Sequence, residues 1–503
     1  MLSLDQNELQ GNLHPTIGWK LPYLQVIQLS NNQFTGLLPL SLSNCSELVR
    51  LQLDSNFFEE KIALDFGGQK SITYIILDGN NFGSGEPDEM NFISSLSNCS
   101  NLLELSLSGN KLRGTIPTSV GNLSTELTFL NFEGNQLYGR LPSAIGNLLN
   151  LDTFGLDGNQ FAGTIPFSIG NLGKLQVVTF SNNKFSGAIP QSIGNLTLLI
   201  KLYMNMNRLE GIIPISLPNC TKLLFLVLSR NNFSGVIPKQ LFSLSTLSIT
   251  FNLSNNYFHG PLPFDVGNLE HLGSLDLSNN RLSGKIPASL GSCSSLENLF
   301  LQNNLFQGLI PSSLSSLKGI LNIDFSQNNL SGQIPRFFEQ LSVKYLNLSF
   351  NDLEGEVPST GVFSNISGVS VAGNSKLCGD VTQSSSVGLK GMIGYAAPEY
   401  VLGSITLLDH VKDVVSLSMF YDDSQNRIVT TKNSGSDSDS DTSLSENLTR
   451  ECLVSALKVG IACSAESPQA RMSITDVVVK LKSILDIINS LEMQSGDAKS
   501  CGI

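Results

Sequence analysis

The sequence has few of the residues that catalysis or nucleic-acid binding requires. Of its 503 residues only four are histidine and 14% are charged, with a formal net charge of -12. Because phosphate binding needs a basic surface, this balance excludes a nucleic-acid partner. None of the eight cysteines has the spacing of a metal site, so no metal is predicted. Cys45, Cys99, Cys220 and Cys293 recur at similar places along the chain, which predicts small buried core residues.

Long apolar runs are absent as well. No stretch reaches the roughly 18 apolar residues of a membrane-spanning helix. The N-terminal residues from Met1 to Asp5 have neither the basic nor the apolar region of a signal peptide. We therefore expect the chain, as it stands, to lack a route to the cell surface, and its location is left open.

The chain is instead rich in one repeated motif, L-x-x-L-x-L-x-x-N-x-L-x-G-x-I-P. Clean copies span 102–117 and 272–287, and most copies follow one another every 24 residues. The step from Asn80 to Asn110 carries the one real insertion. Self-similarity of this kind is the signature of a solenoid. The anchoring asparagines are Asn7, Asn32, Asn56, Asn80, Asn110, Asn135, Asn159, Asn183, Asn207, Asn231, Asn256, Asn280, Asn304, Asn328 and Asn351.

Each position of the motif has a physical role. The x-L-x-L-x segment alternates with period two, so it predicts a short strand whose leucines point inward. Stacked strands form a parallel sheet along the concave face, and the asparagine amide satisfies backbone groups at the bend. The fold class is therefore an α/β leucine-rich-repeat solenoid of about 15 repeats plus a C-terminal cap, over residues 1–380.

Ligand recognition on such an arc uses the outward-facing strand positions. Lys201, Tyr203, Phe225 and Val227 occupy these positions on two adjacent predicted strands, which suggests an exposed aromatic patch with a charge beside it. Phe129 occupies the same position on an earlier strand. The alternative is that single exposed apolar residues are ordinary on protein surfaces. Because an open sheet offers no deep pocket, we expect a peptide or protein ligand.

Sequons for N-linked glycosylation are numerous, and Asn122 and Asn195 on the return segments are the preferred sites. The alternative is that a repeat rich in Asn and Ser produces sequons by composition alone. The other N-x-S/T asparagines are Asn44, Asn98, Asn219, Asn232, Asn252, Asn329, Asn347 and Asn365.

Residues 1–380 resemble the ectodomain of plant leucine-rich-repeat receptor-like serine/threonine kinases, because the L-x-G-x-I-P extension is the plant type of this repeat. Residues 373–379 resemble that family's C-terminal cap, in which two cysteines usually pair. After Cys378 the next cysteine is Cys452, so we expect no pair here. The chain resembles the immune-receptor subfamily that includes the rice bacterial-blight-resistance receptor. The resemblance implies a plasma-membrane receptor in plant defence, with extracellular repeats and a leucine-rich-repeat kinase as co-receptor.

The remaining residues resemble pieces of the same family's kinase domain. Residues 391–400 resemble the end of an activation segment, with Ala397-Pro398-Glu399 as its Ala-Pro-Glu motif. Residues 451–472 resemble the last helices of the kinase C-lobe, and the resemblance implies that Glu399 pairs with Arg471. The predicted segments are a residual linker (381–387), a degraded activation-segment remnant (388–420), a disordered Ser/Asp-rich linker (421–447), the terminal C-lobe helices (448–490) and a tail (491–503).

The motifs of phosphoryl transfer are missing. The sequence contains no G-x-G-x-x-G-x-V loop, no V-A-I-K, no H-R-D and no D-F-G. Met392 replaces a threonine that in the family helps to position the substrate site. The sequence therefore predicts a truncated, non-catalytic chain with no catalytic residues and no cofactor. ATP and Mg²⁺ are expected only for the full-length family member.

Two other functions remain open. The chain could be a secreted leucine-rich-repeat inhibitor-type binding protein, such as an inhibitor of microbial cell-wall enzymes, although the kinase-like tail argues against this. It could also be an active serine/threonine receptor kinase, if a gene-model error has removed the kinase segment between Gly379 and Gly388.

Overall fold

The computed structural model describes residues 1–364, 368–378, 420–422 and 427–429. The chain divides into two compact units, Met1–Gln383 and Ser384–Ile503. In the second unit the described residues form an antiparallel pair of strands, Phe420–Asp422 and Arg427–Val429. This pair falls almost wholly in the segment 421–447, for which the sequence suggested no regular structure. The predicted kinase-remnant boundaries otherwise lie outside the described residues.

The first unit is built on a parallel sheet of 16 strands, called the main sheet here, in which every strand pairs with its counterpart in the next repeat. Most strands have three residues, and the central one is buried, as Leu202 and Leu226 are. This confirms the predicted parallel sheet with inward leucines. Its strands are Leu2–Ser3, Val26–Gln28, Arg50–Gln52, Tyr74–Ile76, Glu104–Ser106, Phe129–Asn131, Thr153–Gly155, Val177–Thr179, Lys201–Tyr203, Phe225–Val227, Thr250–Asn252, Ser274–Asp276, Asn298–Phe300, Asn322–Asp324, Tyr345–Asn347 and Val369–Ser370.

A second row of parallel strands follows the asparagine of each repeat, and the sequence analysis did not predict it. It forms one sheet of four strands and one of 12. The four strands are Gln10–Asn12, Gln33–Gly36, Phe57–Glu60 and Asn81–Phe82. The 12 strands are Arg113–Gly114, Gln136–Gly139, Gln160–Gly163, Lys184–Gly187, Arg208–Gly211, Asn232–Gly235, Tyr257–Pro261, Arg281–Gly284, Leu305–Gly308, Asn329–Gln333, Asp352–Glu356 and Lys376–Cys378.

The break in this second row lies at the insertion between Asn80 and Asn110. Glu89, which is 1% exposed, accepts hydrogen bonds from the backbone N–H groups of Ser84 and Gly85. Its other carboxylate oxygen accepts from the N–H of Arg113, at 2.5 Å. The first strand of the 12-stranded sheet is therefore capped by a side chain where a preceding strand would otherwise pair.

The return segments are short 3₁₀ helices, and their Gly- and Asn-rich sequence does not favour long α-helices. Pro occupies the position before most of them, where its fixed φ is tolerated and its missing donor costs nothing. One α-helical turn spans Ile17–Lys20. The 3₁₀ helices are Leu40–Asn44, Asn91–Asn98, Thr118–Asn122, Ser143–Asn147, Phe167–Asn171, Gln191–Asn195, Leu217–Asn219, Lys239–Ser243, Phe264–Asn268, Ala288–Ser292, Ser312–Ser316, Arg336–Gln340 and Gly361–Ser364.

The anchoring asparagines form the predicted hydrogen-bond ladder. The amide of Asn231 donates to the carbonyl of Met204 in the preceding repeat at 2.9 Å and to that of Leu228 in its own repeat at 3.1 Å. Its oxygen accepts from the N–H of Leu209 in the preceding repeat at 3.0 Å. Asn374 makes the same bonds, although the sequence analysis assigned it to the cap. One side chain per repeat therefore satisfies polar groups on both sides of a repeat boundary.

The core between the sheets and the 3₁₀ helices is apolar and stacked. Rings at the position two after the anchor lie parallel in successive repeats, with centroids 6.1 Å apart for Phe58 and Phe82. The four repeat cysteines are buried as predicted, and the Cys293 thiol donates to the carbonyl of Val266 at 3.2 Å. Burial raises the pKa of Cys293 to about 12, with a contribution from the nearby Glu270 charge, so this thiol is inert.

The C-terminal segment continues the solenoid where the sequence analysis predicted a closing cap. Val369 pairs with Leu346 in the main sheet, and Cys378 pairs with Glu356 in the second row. Cys378 is exposed and carries a free thiol.

Replacing Asn231 by alanine is expected to destabilise the repeats. The change leaves the N–H of Leu209 buried without this partner, which costs about 1–3 kcal/mol, and it removes one of the two amides that donate to the carbonyl of Met204. Asn171, an exposed residue at the end of a 3₁₀ helix, is the control for the same substitution. The measurement is chemical denaturation followed by circular dichroism. Equal midpoints for the two variants would contradict the ladder's role.

Candidate ligand-binding surface

The first and third residues of each main-sheet strand point away from the core, and together they form the main-sheet face. In Lys201–Tyr203 and Phe225–Val227 the outer residues are half-buried around a fully buried leucine. Thr250–Asn252 follows the same pattern with a central phenylalanine. These are the positions six and four before each anchoring asparagine, as the sequence analysis predicted.

Four of the predicted site residues lie together on this face and are called the aromatic patch. Lys201 is directly opposite Phe225, and Tyr203 is opposite Val227. The rings of Tyr203 and Phe225 meet edge to face with centroids 6.0 Å apart, and the Lys201 ammonium lies 5.3 Å from the Phe225 centroid. The patch residues are half-buried, not fully exposed as expected, because their side chains pack against one another.

Phe129 does not join the aromatic patch. It pairs with Glu104 on one side and Thr153 on the other. Three strand steps separate it from Lys201, which corresponds to roughly 14 Å at the usual strand spacing. A ligand would have to bridge Thr153 and Val177 to contact both.

A pair of carboxylates beside the patch was missed in the sequence analysis. Glu133 and Asp157 stand two positions before their anchoring asparagines, where the strand has just ended. The hydroxyl of Thr179 donates to Glu133, and the N–H of Ser181 donates to Asp157. Equivalent positions hold Asp54 and Asp78 in earlier repeats but Ser, Asn or Gln in later ones, and this change along the chain is a signal visible in the sequence.

Gly155 makes room for this arrangement. A Cβ at that position would lie 2.7 Å from the side-chain oxygen of Asn131 and 2.8 Å from that of Glu133. The glycine thus lets the Glu133 side chain cross a strand to reach Thr179. A glycine inside a strand often marks such a close approach.

The electrostatics of the pair are unusual. The pKa of Asp157 is raised to about 7: burial is the largest cause, the Glu133 charge also raises it, and the hydrogen bonds from Ser181 lower it. Burial also raises the pKa of Tyr203, with a second contribution from the charge of Asp157. The carboxylate pair and the aromatic patch are therefore electrostatically coupled.

More carboxylates lie along the same face toward the first repeats. Asp78 accepts from the Ser106 hydroxyl at 2.7 Å and from the Ser108 N–H at 2.6 Å, and burial raises its pKa. Burial and the charge of Asp78 raise the pKa of Glu104, while Arg50 lowers it. In the part of the chain that the structure describes, the ion pairs are Lys61–Asp88 and Lys376–Asp352, so none involves a main-sheet carboxylate.

The preferred glycosylation sites share one position. Asn122 and Asn195 are each the exposed last residue of a 3₁₀ helix. Asn44, Asn98 and Asn219 are exposed at the same place in their repeats, so the geometry does not single out the two preferred sites. Asn252 and Asn347 instead lie half-buried in main-sheet strands.

The predicted kinase-remnant residues Ala397, Pro398, Glu399 and Arg471 lie outside the described residues. Within those that are described, no helix has the length and apolar character needed to cross a bilayer. The same residues contain no group of three or more His, Cys, Asp or Glu side chains placed to hold a metal.

Seven segments of the chain match the family model described as Leucine Rich Repeat. These are leucine-rich repeats. The matched residues are 23–45, 101–123, 126–148, 174–196, 222–244, 271–293 and 295–317. With the parallel strands already described, they make the first unit a leucine-rich-repeat solenoid.

Solved structures with this fold include plant receptor ectodomains. The Arabidopsis receptor kinase HAESA, in complex with the peptide hormone IDA and the co-receptor SERK1, is 32% identical with a TM-score of 0.68, over 78% of this chain and 62% of that one. The ectodomain of GASSHO1/SCHENGEN3 from Arabidopsis thaliana, in complex with CASPARIAN STRIP INTEGRITY FACTOR 2, is 32% identical with a TM-score of 0.63, over 76% of this chain and 47% of that one.

Curated relatives that match over shorter stretches are also plant receptor proteins. Receptor kinase-like protein Xa21 of Oryza sativa is 45% identical over 69 residues, which is 14% of this chain and 7% of the relative. Receptor-like protein 32 of Arabidopsis thaliana is 33% identical over 132 residues, which is 26% of this chain and 12% of the relative. The leucine-rich-repeat chain is thus homologous to plant receptor kinases and receptor-like proteins, and it matches only a small part of these curated relatives' length.

Replacing Asp157 by asparagine is expected to change how stability depends on pH. Between the ordinary aspartate pKa near 4 and about 7, folded Asp157 holds a proton that the unfolded chain has released, so its contribution to stability falls as pH rises through that window. Asparagine does not titrate and can still accept from Ser181. The difference in melting temperature, variant minus wild type, should grow from pH 4 to 7 and then level off. A pH-independent difference in calorimetry would show that Asp157 titrates normally.

If the chain is directed through a secretory pathway, we expect glycans at Asn44, Asn98, Asn122, Asn195 and Asn219. These asparagines are exposed, whereas Asn252 and Asn347 are half-buried and their side-chain oxygens accept from Ser254 and Ser349. Site-resolved mass spectrometry of the secreted chain measures the occupancy. Higher occupancy at the two main-sheet sites than at the five helix-end sites would refute this assignment.

Proposed function

We propose that this chain recognises a peptide ligand on the main-sheet face of its repeats, with the aromatic patch as the central contact. The observation that carries the proposal is the packing of Lys201, Tyr203, Phe225 and Val227 on two adjacent strands of a largely polar face. Aromatic side chains grouped in this way are the residues that dominate binding energy at interfaces. The peptide hormones in the HAESA and GASSHO1/SCHENGEN3 complexes support this choice of ligand class.

The surroundings of the patch suit an extended peptide. Thr179 and Val177 lie on the strand before it, and Thr250 and Asn252 lie on the strand after it. Hydroxyl and amide groups at these places can hydrogen-bond a peptide backbone, while the rings take up an apolar side chain. A small molecule would gain less binding energy, because it could not contact several strands at the same time.

The wider role proposed is that of the family the sequence resembles. In this role the chain and a leucine-rich-repeat co-receptor kinase would bind the ligand together at the plasma membrane. The complex would act in plant defence signalling. Support for the co-receptor comes from the HAESA complex, which contains SERK1. Support for the defence role comes from the resemblance to the immune-receptor subfamily, and the similarity to the rice protein Xa21 agrees with that subfamily.

The proposed role of this chain excludes catalysis. Residues 388–420 and 448–490 are proposed to be remnants of a kinase C-lobe. Ala397, Pro398, Glu399 and Arg471 are proposed to keep the structural positions that they have in that lobe. Because the loops that hold ATP and the catalytic aspartate are missing from the sequence, the chain would bind a ligand without passing on phosphate.

Replacing both Tyr203 and Phe225 by alanine is expected to weaken peptide binding at least tenfold. Peptides are first selected from a random library with the full 503-residue chain, and their affinities are then measured by fluorescence anisotropy. Losing two ring contacts that cost upward of about 1 kcal/mol each accounts for the expected change.

Phe300→Ala is the control, because Phe300 is half-buried at an outward position of the same sheet, three strands further on. Its affinities should stay near those of the wild type. Binding that is unaffected by the double substitution, or a library that yields no binders, would reject the proposed function.

A further inference from the structure

Glu133 and Asp157 have no cationic partner in the part of the chain that the structure describes. Thr179 donates to Oε1 of Glu133 and Ser181 donates to Oδ1 of Asp157, so the donors of both carboxylates are neutral groups of one neighbouring repeat. Two half-buried carboxyl groups thus bond to the same repeat, close enough for the charge of Glu133 to act on Asp157, and no cation offsets them there. A charged group in such surroundings gains strongly from a cation with N–H donors.

The neighbourhood defines where a cation can bind. Lys201 already occupies the patch above Phe225, so a second positive group is repelled there. On the other side, Asp54, Asp78 and Glu104 extend the negative charge toward the first repeats, although Arg50 lies among them over the ring of Tyr74. From Ser181 onward the corresponding positions are neutral. The positions two before the anchor therefore change from acidic to neutral beside the aromatic patch, and the next carboxylates on the face, Asp276 and Asp324, lie on later strands.

We propose that the ligand of the aromatic patch is a peptide that carries a lysine or arginine, whose cationic group pairs with Glu133 and Asp157 while an apolar side chain of the same peptide packs on Tyr203, Phe225 and Val227. This inference rests on the proposed function and adds the chemical class of the ligand. Gly155 contributes by leaving room for the Glu133 side chain to cross the strand to Thr179, toward the aromatic patch.

The strand spacing sets the distance between the two side chains. The carboxylates of Glu133 and Asp157 accept from Thr179 and Ser181, so they lie beside the strand Val177–Thr179. Tyr203 lies one strand beyond it and Phe225 two. At about 4.8 Å per strand this is roughly 5–10 Å, and an extended peptide covers that length in about two or three residues. The cationic residue of the peptide should therefore stand two or three positions from the apolar one, on the side of the earlier repeats.

The test uses short glycine–serine peptides with one lysine and one phenylalanine, separated by two to six positions, together with the peptides selected from the random library. In the matched controls the lysine is replaced by norleucine or glutamate. The full chain should bind the lysine peptides about tenfold more tightly than the norleucine ones, with an optimum at two or three positions and a loss of preference at high salt.

Glu133→Gln and Asp157→Asn together should abolish the lysine preference, because both amides keep their acceptor oxygens but lose the charge. Asp276→Asn is the control, since Asp276 is another main-sheet carboxylate that accepts from a serine. It should keep the preference. Circular dichroism verifies that each variant is folded.

The outcomes separate this inference from the function on which it rests. Peptides that bind through Tyr203 and Phe225 but show no lysine preference, or a preference that survives the double substitution, would overturn the cationic ligand and leave the proposed function standing. A preference lost equally in Asp276→Asn would also overturn it. Failure of every peptide to bind would reject both.

Discussion

Every repeat of this solenoid has to satisfy backbone groups at the bend that follows its main-sheet strand, and the asparagine ladder does so. Asn56, for example, donates to the carbonyls of Leu29 and Leu53 and accepts from the N–H of Phe34. A buried N–H or carbonyl without a partner costs more than an ordinary hydrogen bond returns. Because two of these bonds cross the repeat boundary, the ladder fixes both the bend and the register of the next strand.

The ladder leaves the main-sheet face free for recognition. Leucines fill the inner side and the asparagines close the bend, so the outward strand residues are not part of the ladder, although Asn252 and Asp276 accept the N–H two positions on. They can therefore vary from repeat to repeat without loss of fold, as the sequence of Lys201, Phe225, Thr250 and Ser274 along one row illustrates. A face of this kind can collect unlike side chains over many strands, which suits an extended peptide.

The features that depend only on a residue's position within one repeat could be predicted from the sequence. The inward leucines, the asparagine bonds and the outward places of Lys201 and Tyr203 follow from periodicity. The second row of strands was missed because its segments are short and contain glycine, which is rare inside strands. The role of Gly155 was also hidden, since it arises from Glu133 crossing to Thr179, a contact between residues 46 positions apart. Phe129 was included as a candidate because it occupies an outward position, and three strand steps separate it from the aromatic patch.

Hydrogen exchange of the full chain, with and without a library-selected peptide, tests the central claim most directly. The account predicts slow exchange without peptide at ladder-bonded amides such as those of Leu209 and Phe233, and peptide-dependent protection confined to 177–179, 201–203 and 225–227. Fast exchange at the ladder amides, or new protection on the 3₁₀ helices instead of the main-sheet strands, would contradict it.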